Sequence, residues 1–487
     1  MNTPPLSLSR RQFLRHSAAA AALAVPTIHR AAAAGSANED VRVAIIGLGN
    51  KGNNHLKVFR TVAGARLVAL CDVDPQRLAA AAVKLKEGGA APFTATDPRK
   101  ILERPDVDAV VIATPNHWHA LLGVWACRAG KDVYVEKPVS HSIWEGAQLV
   151  AAGRKHGRVV QAGTQYRSDE GLQAAAAWLR EGHLGALQWA HVLWYELREG
   201  IGRTAPHVPD GLDYDLYCGP APFEPLTRPK LHYDWHWFWS TGDGDLGNSG
   251  IHAFDACRWL AGATGMPRRA RCLGGRFGVD DAAQTPNTQL TLIDYPGVPI
   301  LIENRNLPSR KGMKAMDTFR GLREGFVVQY EGGYFAGLRG GGNVYDNQGA
   351  KLRSFPGDSG SQHQANFIQA VKSRRPDRLH APIVEGHVST AGCHLGNISW
   401  RLGKPAPVAE CLEAMSLHPR AAETVALLER NLAANDVDVK QRPFVLGPWL
   451  ELATGAEEIR AVTGADRPAL ATAQRLVRGS HRAGYGF

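Results

Sequence analysis

Short apolar runs alternate with amphipathic stretches along the first third of the chain. The apolar runs are continuous, which is typical of strands covered on both faces of a parallel sheet. The stretches between them repeat apolar positions at helical spacing. This alternation predicts a doubly wound α/β domain. Its predicted strands are Val41–Ile46, Arg66–Asp72, Asp108–Ala113 and Asp132–Val135, and its predicted helices are Leu56–Thr61, Pro75–Lys86 and Ala120–Ala129.

The pattern changes at about Gln161. Apolar and polar residues then alternate within predicted strands, which indicates strands with one covered face. We expect an α/β protein in which a Rossmann dinucleotide-binding domain, residues 40–160, is followed by an α+β domain, residues 161–404, with a large, mostly antiparallel open sheet. We expect residues 405–487 to form a C-terminal helical extension. The supporting segments are the strands Trp189–Leu197, Gln289–Asp294 and Pro299–Asn306, hairpin turns at 332–333 and 340–342, and the helices Gln362–Lys372, Gly386–Leu402 and Ala421–Ala434.

A glycine-rich turn follows the first predicted strand and reads Gly47-Leu48-Gly49-Asn50-Lys51-Gly52. Such a turn brings backbone N–H groups at a helix N-terminus close to a pyrophosphate. The second predicted strand ends at Asp72, where a dinucleotide fold places the carboxylate that accepts the ribose hydroxyls. We expect NAD rather than NADP, because Asp72 would repel a ribose 2′-phosphate. The alternative is a turn that binds no phosphate, followed by an incidental surface aspartate.

Composition narrows the possible partners. The chain has 487 residues, 44% of them hydrophobic, and a formal net charge of +10. Lysines and arginines are dispersed among acidic residues without a basic tract or a recognition-helix motif, so we expect no nucleic-acid partner. The seven cysteines show neither a C-x-x-C pair nor zinc spacing, which predicts buried, inert thiols.

Residues 1–34 have the pattern of an export signal. Arg10 and Arg11 lie in a segment without acids and precede the weakly apolar run Ala18–Val25 and the small residues Ala31–Ala34. This segment resembles a twin-arginine signal peptide, so we expect the twin-arginine translocase as a partner during export and a periplasmic location. The apolar run is well short of the about 20 residues that span a bilayer, so we expect no stable membrane insertion. A disordered basic tail is the alternative.

Candidate chemistry follows the later strands of the predicted parallel sheet, where ligands bind in such folds. One strand leads into Thr114-Pro115-Asn116-His117-Trp118-His119 and the next into Glu136-Lys137-Pro138. With the glycine turn, these motifs resemble the Gfo/Idh/MocA oxidoreductases from Val41 to about Lys404. The resemblance implies an NAD-linked enzyme acting on a small-molecule carbohydrate. We expect cofactor contacts from Thr114, Asn116, His117, Trp118, His119, Glu136, Lys137 and Gln165.

Lys137 is the first candidate for catalysis. An ammonium beside a nicotinamide can hydrogen-bond the reacting hydroxyl and stabilise alkoxide character as hydride leaves. A helix start at Asn248 places His252 on the same face, and histidine has a suitable intrinsic pKa for relaying the proton. The family often has aspartate where this chain has Asn248, and an amide cannot accept a proton, which leaves Lys137 and His252 as the acid/base pair. The alternatives are a surface lysine and a helix cap at Asn248.

The second domain carries the candidate substrate contacts. Residues 232–239 include His232, Asp234 and His236 among aromatic residues. In an extended conformation the aromatic side chains would form a wall that stacks on a sugar. One alternative is a metal site formed by His232, Asp234 and His236, and another is an aromatic core without a ligand. We expect Arg167 to bind a sugar hydroxyl or carboxylate. The alternative is an ordinary ion pair within the protein. We predict no metal, and substrate contacts from Arg167, His236, Asp245, Asn248 and His252.

Three functional classes remain open. The first is a periplasmic NAD-linked oxidoreductase acting on a sugar, cyclitol or glycoside. The second is a redox-assisted glycosidase or lyase, in which transient oxidation acidifies a neighbouring C–H. The third is a ligand-binding module without catalysis. Because we expect no recycling pool of free NAD outside the cytoplasm, we expect the cofactor to stay bound through many turnovers. We also expect a homo-oligomer.

Overall fold

The computed structural model describes residues 40–86, 91–453, 456–464 and 467–487. The predicted export signal, residues 1–34, lies outside the described residues. Residues Val41–Phe487 form one unit that contains both predicted domains. Within the described ranges, no helix combines the length and the apolar character needed to cross a bilayer.

Six parallel strands form the first sheet, in the order β3-β2-β1-β4-β5-β6. This is the strand order of a dinucleotide-binding Rossmann domain. Apolar clusters fill both faces of the sheet, which explains the continuous apolar runs in the sequence. The strands are β1 Val41–Ile46, β2 Ala65–Cys71, β3 Phe93–Ala95, β4 Ala109–Ile112, β5 Asp132–Glu136 and β6 Val160–Gly163; the helices are α1 Asn50–Phe59, α2 Pro75–Lys86, α3 Pro98–Leu102, α4 Asn116–Arg128 and α5 Ile143–Lys155.

The parallel sheet extends past the predicted domain boundary at residue 160. Strand β6 pairs with β5 from Val160 to Gly163, so the second domain begins after Gly163 and not at Gln161. All four residues of β6 are buried, and the Gln161 side chain donates to the His363 carbonyl oxygen (2.9 Å). A buried glutamine in a four-residue strand leaves no periodic signal, which is why the boundary was misplaced.

A sheet of twelve strands dominates the second domain. Its described strand pairs are antiparallel apart from β7 and β10, which confirms the predicted open, mostly antiparallel sheet. Helices α6, α8 and α10 pack on one face and bury the largest apolar cluster. The elements are β7 Leu187–Tyr195, β8 Arg269–Gly275, β9 Thr288–Tyr295, β10 Val298–Arg305, β11 Glu324–Tyr330, β12 Gly333–Leu338, β13 Gly341–Tyr345 and β14 Lys351–Pro356, with α6 Glu170–Arg180, α7 Tyr214–Cys218, α8 Ile251–Leu260, α9 His363–Ser373 and α10 Ile383–Arg401.

The C-terminal extension is not purely helical, contrary to the prediction. It contributes strands β15 Lys404–Ala406, β16 Phe444–Leu446, β17 Trp449–Leu452 and β18 Ile459–Thr463 to the large sheet, beside helices α11 Val408–Ala414, α12 Ala421–Ala433 and α13 Arg467–Arg478. Strands of three to five residues are too short for a periodic pattern to show. Helix α12 covers the second face of the sheet, where Leu428 and Leu432 pack with Leu301.

All seven cysteines are buried and free, which confirms the interpretation of inert thiols.

Candidate active site

A cavity of about 320 Å³ lies at the carboxyl ends of strands β1, β2, β4 and β5. This is the position where parallel sheets bind ligands. Residues of the second domain close its opposite side, so both domains contribute to one cavity. The predicted site residues that line it are Gly47, Gly49, Asn50, Lys51, Asp72, Thr114, Asn116, Trp118, His119, Glu136, Lys137, His236, Asn248 and His252.

The glycine turn leaves no room for a side chain at two of its positions. Gly47 has φ +90°, and a Cβ there would lie 2.6 Å from the Ala113 carbonyl oxygen. A Cβ at Gly52 would lie 1.9 Å from the Gly47 carbonyl oxygen, so α1 packs directly against the turn. The N-terminus of α1 therefore opens towards the cavity, as a pyrophosphate site requires. Leu48 and Gly52 support the turn and do not line the cavity.

Asp72 lies at the end of β2 and is fixed in direction by the backbone. Its Oδ2 accepts from the Leu48 N–H (2.6 Å) and its Oδ1 from the Asp74 N–H (2.9 Å). Burial raises the pKa of Asp72, and these hydrogen bonds oppose the rise only in part. The adjacent Asp74 lies 2.9 Å from Nε2 of His232, which joins the second domain to this end of the cavity.

The loop after β4 divides its polar side chains between two sides. Thr114, Asn116, Trp118 and His119 line the cavity as predicted. His117 does not: its ring nitrogens lie 3.0 Å from the Tyr217 carbonyl oxygen and 3.4 Å from that of Thr241. The structure therefore places the His117 ring against carbonyl oxygens of the second domain and not on the cavity wall.

Glu136, at the end of β5, is surrounded by donors. His55 Nε2 lies 2.8 Å and Gln165 Nε2 2.9 Å from its Oε1, and Lys51 Nζ lies 3.6 Å away. Burial alone would raise the pKa of Glu136, but Lys51, His55 and Lys137 outweigh burial and lower the pKa well below its usual range. Gln165 donates a hydrogen bond to Glu136 and does not line the cavity.

Lys137 extends into the cavity from the cis peptide bond that it forms with Pro138. Its ammonium donates to the main-chain carbonyl oxygen of Asn248, and the Asn248 Oδ1 atom lies 3.5 Å from Nζ. Burial lowers the pKa of Lys137 to about 8, although the Glu136 carboxylate opposes this effect. A lysine with this pKa is mostly protonated at neutral pH and can still exchange a proton.

Asn248 and His252 share one face of a helical segment, as predicted. A π-helical turn, Leu246–Gly250, leads into α8, and both side chains line the cavity. Burial and the charges of Lys137 and Lys51 lower the pKa of His252 well below its usual value, so its imidazole is neutral near pH 7. Its Nδ1 atom is buried without a hydrogen-bond partner. Asn248 does not cap α8, because the N-cap is Gly250.

Two predicted substrate contacts are instead ion pairs within the fold. Arg167 donates to both carboxylate oxygens of Asp255 (2.8 and 3.0 Å) and is 5% exposed. Asp245 is 2% exposed and accepts from Nε of Arg198 (3.0 Å). Neither residue lines the cavity. The structure thus places both side chains in ion pairs away from the cavity wall, because a distant residue of opposite charge, which a sequence does not reveal, satisfies each of them.

Residues 232–239 form part of the cavity wall, although they are not extended. A 3₁₀ turn covers Asp234–Trp237, and Tyr233, Trp235 and His236 line the cavity, with the last two rings stacked at 3.6 Å. Burial lowers the pKa of His236 to about 3. Trp237 belongs instead to a buried apolar cluster. Part of the segment therefore lines the cavity, and another part packs in the core. The described ranges contain no group of three or more His, Cys, Asp or Glu side chains placed to hold a metal.

The sequence analysis missed Tyr217 and Arg198. Tyr217 lines the cavity from α7, and Arg198 holds Asp245 behind it. Both lie in a stretch without periodic apolar positions. A weak signal for α7 exists, because the N-cap Asp213 accepts from the Leu216 N–H (2.9 Å) and Asp is a preferred N-cap residue.

The cavity fits a dinucleotide. The glycine turn, which forms a cradle at residues 47–52, admits close approach of a pyrophosphate. Asp72 lies where a ribose is bound in such folds. The hydroxyls of Thr114 and Tyr217 are buried on the cavity wall without hydrogen-bond partners. These features define the first domain as a dinucleotide-binding Rossmann domain.

Two segments of the chain are similar to the domains of one oxidoreductase family. The NAD-binding Rossmann fold of the Gfo/Idh/MocA oxidoreductase family matches residues 41–164, and the C-terminal alpha/beta domain of that family matches residues 184–271. Residues 41–164 thus match the NAD-binding domain of this family, and residues 184–271 match the domain that follows it. An oxidoreductase of Agrobacterium radiobacter, solved with NAD+, L-tartaric acid and magnesium, shares the fold with a TM-score of 0.55 at 16% identity, over 74% of this chain and 95% of that chain.

Relatives by sequence cover only part of the chain. Glycosyl hydrolase family 109 protein 2 of Shewanella sp. (strain ANA-3) is 34% identical over 187 residues, 35% of this chain and 41% of that protein. Inositol 2-dehydrogenase of Acidothermus cellulolyticus is 34% identical over 157 residues, 32% of this chain and 45% of that protein. The chain thus matches less than half the length of these curated relatives.

Proposed function

We propose that this protein is an NAD-dependent oxidoreductase that acts on a CH–OH group of a sugar, cyclitol or glycoside. The observation that carries the proposal is that Lys137 and His252 line the same cavity as the glycine cradle. A ligand-binding module would not need an ammonium and a neutral imidazole side by side in a half-buried cavity. The likeness to an inositol 2-dehydrogenase supports the substrate class.

The two residues have complementary protonation states. Bound NAD would supply the hydride acceptor. Lys137, with a pKa of about 8, donates a hydrogen bond to the substrate oxygen and stabilises the negative charge that develops on it. His252 is neutral because its pKa is depressed, so it accepts the hydroxyl proton. In the reverse direction the same groups return the proton.

Export with the cofactor in place is the second part of the proposal. The pattern of Arg10 and Arg11 supports a twin-arginine signal and a periplasmic location. Second-domain residues such as Tyr217 and His236 cover the cavity, and a covered cofactor leaves slowly. We expect near-stoichiometric NAD(H) in protein purified from the periplasm, and turnover without added cofactor. Cofactor-free protein whose activity depends on external NAD would contradict this part.

The catalytic assignment is tested with Lys137→Ala and Lys131→Ala. Lys131 lies just before β5, is 8% exposed and donates only to the carbonyl oxygens of Arg104 and Val107, so it is a control for the cost of removing a buried lysine. We expect Lys137→Ala to lose hydride transfer and keep its NAD, because a group on the reacting hydroxyl stabilises the transition state more than the bound cofactor. His252→Ala should slow turnover and flatten its pH dependence. Wild-type turnover in both site variants would refute the assignment.

A redox-assisted glycosidase is the second candidate function. The glycosyl hydrolase family 109 relative favours it, and the same cavity residues would serve the oxidation and the return of hydride. Product analysis with a panel of glycosides separates the candidates. Release of the aglycone without net NADH formation supports the glycosidase, whereas an oxidised sugar supports the oxidoreductase.

A further inference from the structure

Arg198, three residues after β7, donates hydrogen bonds to separate segments of the second domain. Its Nε lies 3.0 and 3.1 Å from the carboxylate oxygens of Asp245, and its Nη2 lies 3.1 Å from Oγ of Ser249. Its Nη1 lies 3.0 Å from the hydroxyl of Tyr233, and Nη2 also donates to Glu196 (2.6 Å). The planar, five-donor guanidinium allows all of these contacts at once, and a lysine could not make them.

The side chain of Arg198 lies behind the cavity wall. It is 15% exposed, does not line the cavity and packs over the ring of Trp237 at 4.9 Å. Arg198 therefore acts on the cavity through the groups that it holds and through its positive charge, which lowers the pKa of Lys137 and which the substitution Arg198→Lys retains.

Those groups lie on either side of the substrate end of the cavity. Asp245 immediately precedes the π-turn Leu246–Gly250, and Ser249 is within it, so Arg198 holds the turn on both sides of Asn248. The Asn248 carbonyl oxygen in turn accepts from the Lys137 ammonium. On the other side, Tyr233 has φ 71°, a backbone conformation that is uncommon for a tyrosine, and its ring lines the cavity.

We infer that Arg198 is a positioning residue, which holds the π-turn and Tyr233 so that the Asn248 carbonyl faces Lys137 and the tyrosine borders the substrate end of the cavity. The consequence for turnover rests on the proposed function, whereas the consequence for Lys137 does not. A hydrogen bond to the charged form of a group favours that form. Loosening the π-turn should therefore lower the pKa of Lys137.

The test compares Arg198→Lys with Arg276→Lys in the holoprotein. Arg276 is a matched control, because it is similarly buried (19% exposed) and binds the carboxylate of Asp281 and the Thr285 carbonyl oxygen rather than a residue of the π-turn. Competitive acetylation with mass spectrometry gives the pKa of individual lysines without a substrate. We expect Arg198→Lys to lower the pKa of Lys137 by about 0.5–1 unit and to reduce kcat about tenfold or more. Bound NAD should be retained. Arg276→Lys should leave both quantities unchanged.

Ser249→Ala provides a second, milder variant if Arg198→Lys fails to fold. It removes one hydrogen bond between Arg198 and the π-turn, and should shift the pKa of Lys137 in the same direction by a smaller amount. If both variants change only the melting temperature and leave the Lys137 pKa at its wild-type value, Arg198 is merely structural and the inference is wrong. If no substrate is turned over even by the wild type, the proposed function fails while the acetylation result still decides the inference.

Discussion

Asn248→Asp is the substitution that most directly tests the environment of Lys137. The Asn248 Oδ1 atom lies 3.5 Å from Lys137 Nζ. A carboxylate at this distance favours the ammonium and should raise the pKa of Lys137 above its value of about 8.

The size of the shift follows from Coulomb's law. Two unit charges 3.5 Å apart interact by about 1.2 kcal/mol in bulk water and by about 4.7 kcal/mol at an effective dielectric constant of about 20. Since one pKa unit corresponds to about 1.36 kcal/mol, these limits are about 0.9 and 3.5 units. The cavity is partly open to solvent, so we expect an increase of about 1–2 units. His252, four residues along the same face, should show a smaller increase.

The pH dependence of turnover shows the direction of the Lys137 pKa shift. If the ammonium of Lys137 and the neutral form of His252 are the active forms, activity falls on the alkaline side as Lys137 loses its proton and on the acidic side as His252 gains one. Asn248→Asp keeps Lys137 protonated to higher pH, so the alkaline limb should move upwards by the same 1–2 units (about 1.4–2.7 kcal/mol). Competitive acetylation measures the Lys137 pKa separately.

Asn248→Ala and Glu136→Gln are the matched controls. Asn248→Ala retains the main-chain carbonyl oxygen that accepts from the Lys137 ammonium. The pKa of Lys137 should therefore stay near 8 in this variant. Glu136→Gln removes the carboxylate that opposes the effect of burial, so the pKa of Lys137 should fall. An unchanged alkaline limb and an unchanged Lys137 pKa in Asn248→Asp would refute this account of the site.

Three further predictions concern the cofactor and the fold. Gly52→Ala should abolish NAD binding, because the new Cβ would lie 1.9 Å from the Gly47 carbonyl oxygen. The cofactor content after purification measures this effect. Retained NAD would show that the glycine turn does not bind the pyrophosphate. Asp72→Ala should narrow the preference for NAD over NADP in a binding titration, and tighter NADP than NAD binding by the wild type would overturn the assignment. Leu428→Ala should lower the free energy of unfolding by about 2–5 kcal/mol in denaturant titrations, since α12 covers a face of the sheet; a change below about 0.5 kcal/mol would show that α12 is not part of the core.

The first domain could be predicted almost completely because its signals are local. The strand, glycine turn and helix from Val41 onward are consecutive in sequence, and each apolar run is buried on both faces. The ends of these strands also predicted most of the cavity, including Asp72 and Lys137. Parallel strands place their carboxyl ends together, so sequence order alone brought these residues to one edge.

The predicted site residues that the structure places away from the cavity wall have one feature in common. Arg167, Asp245 and His117 are polar residues near the site whose partners lie far away in sequence: Asp255, Arg198 and the carbonyl oxygen of Tyr217. A buried polar group is almost always satisfied, but its residue type does not show by what. The direction in which such a side chain points is decided by tertiary packing, which a pattern along one chain does not contain.

Asn248 shows how a departure from the expected residue can preserve a function. The side chain cannot accept a proton, yet the residue still provides an acceptor for the Lys137 ammonium through its main-chain carbonyl oxygen. A π-turn interrupts the regular hydrogen-bond ladder of a helix and frees carbonyl groups for other donors. Because every residue type has this carbonyl, the acceptor depends on the backbone and not on the identity of the side chain. In the proposed mechanism the proton transfer that an aspartate could perform is assigned to His252, which is neutral near pH 7 because its pKa is lowered.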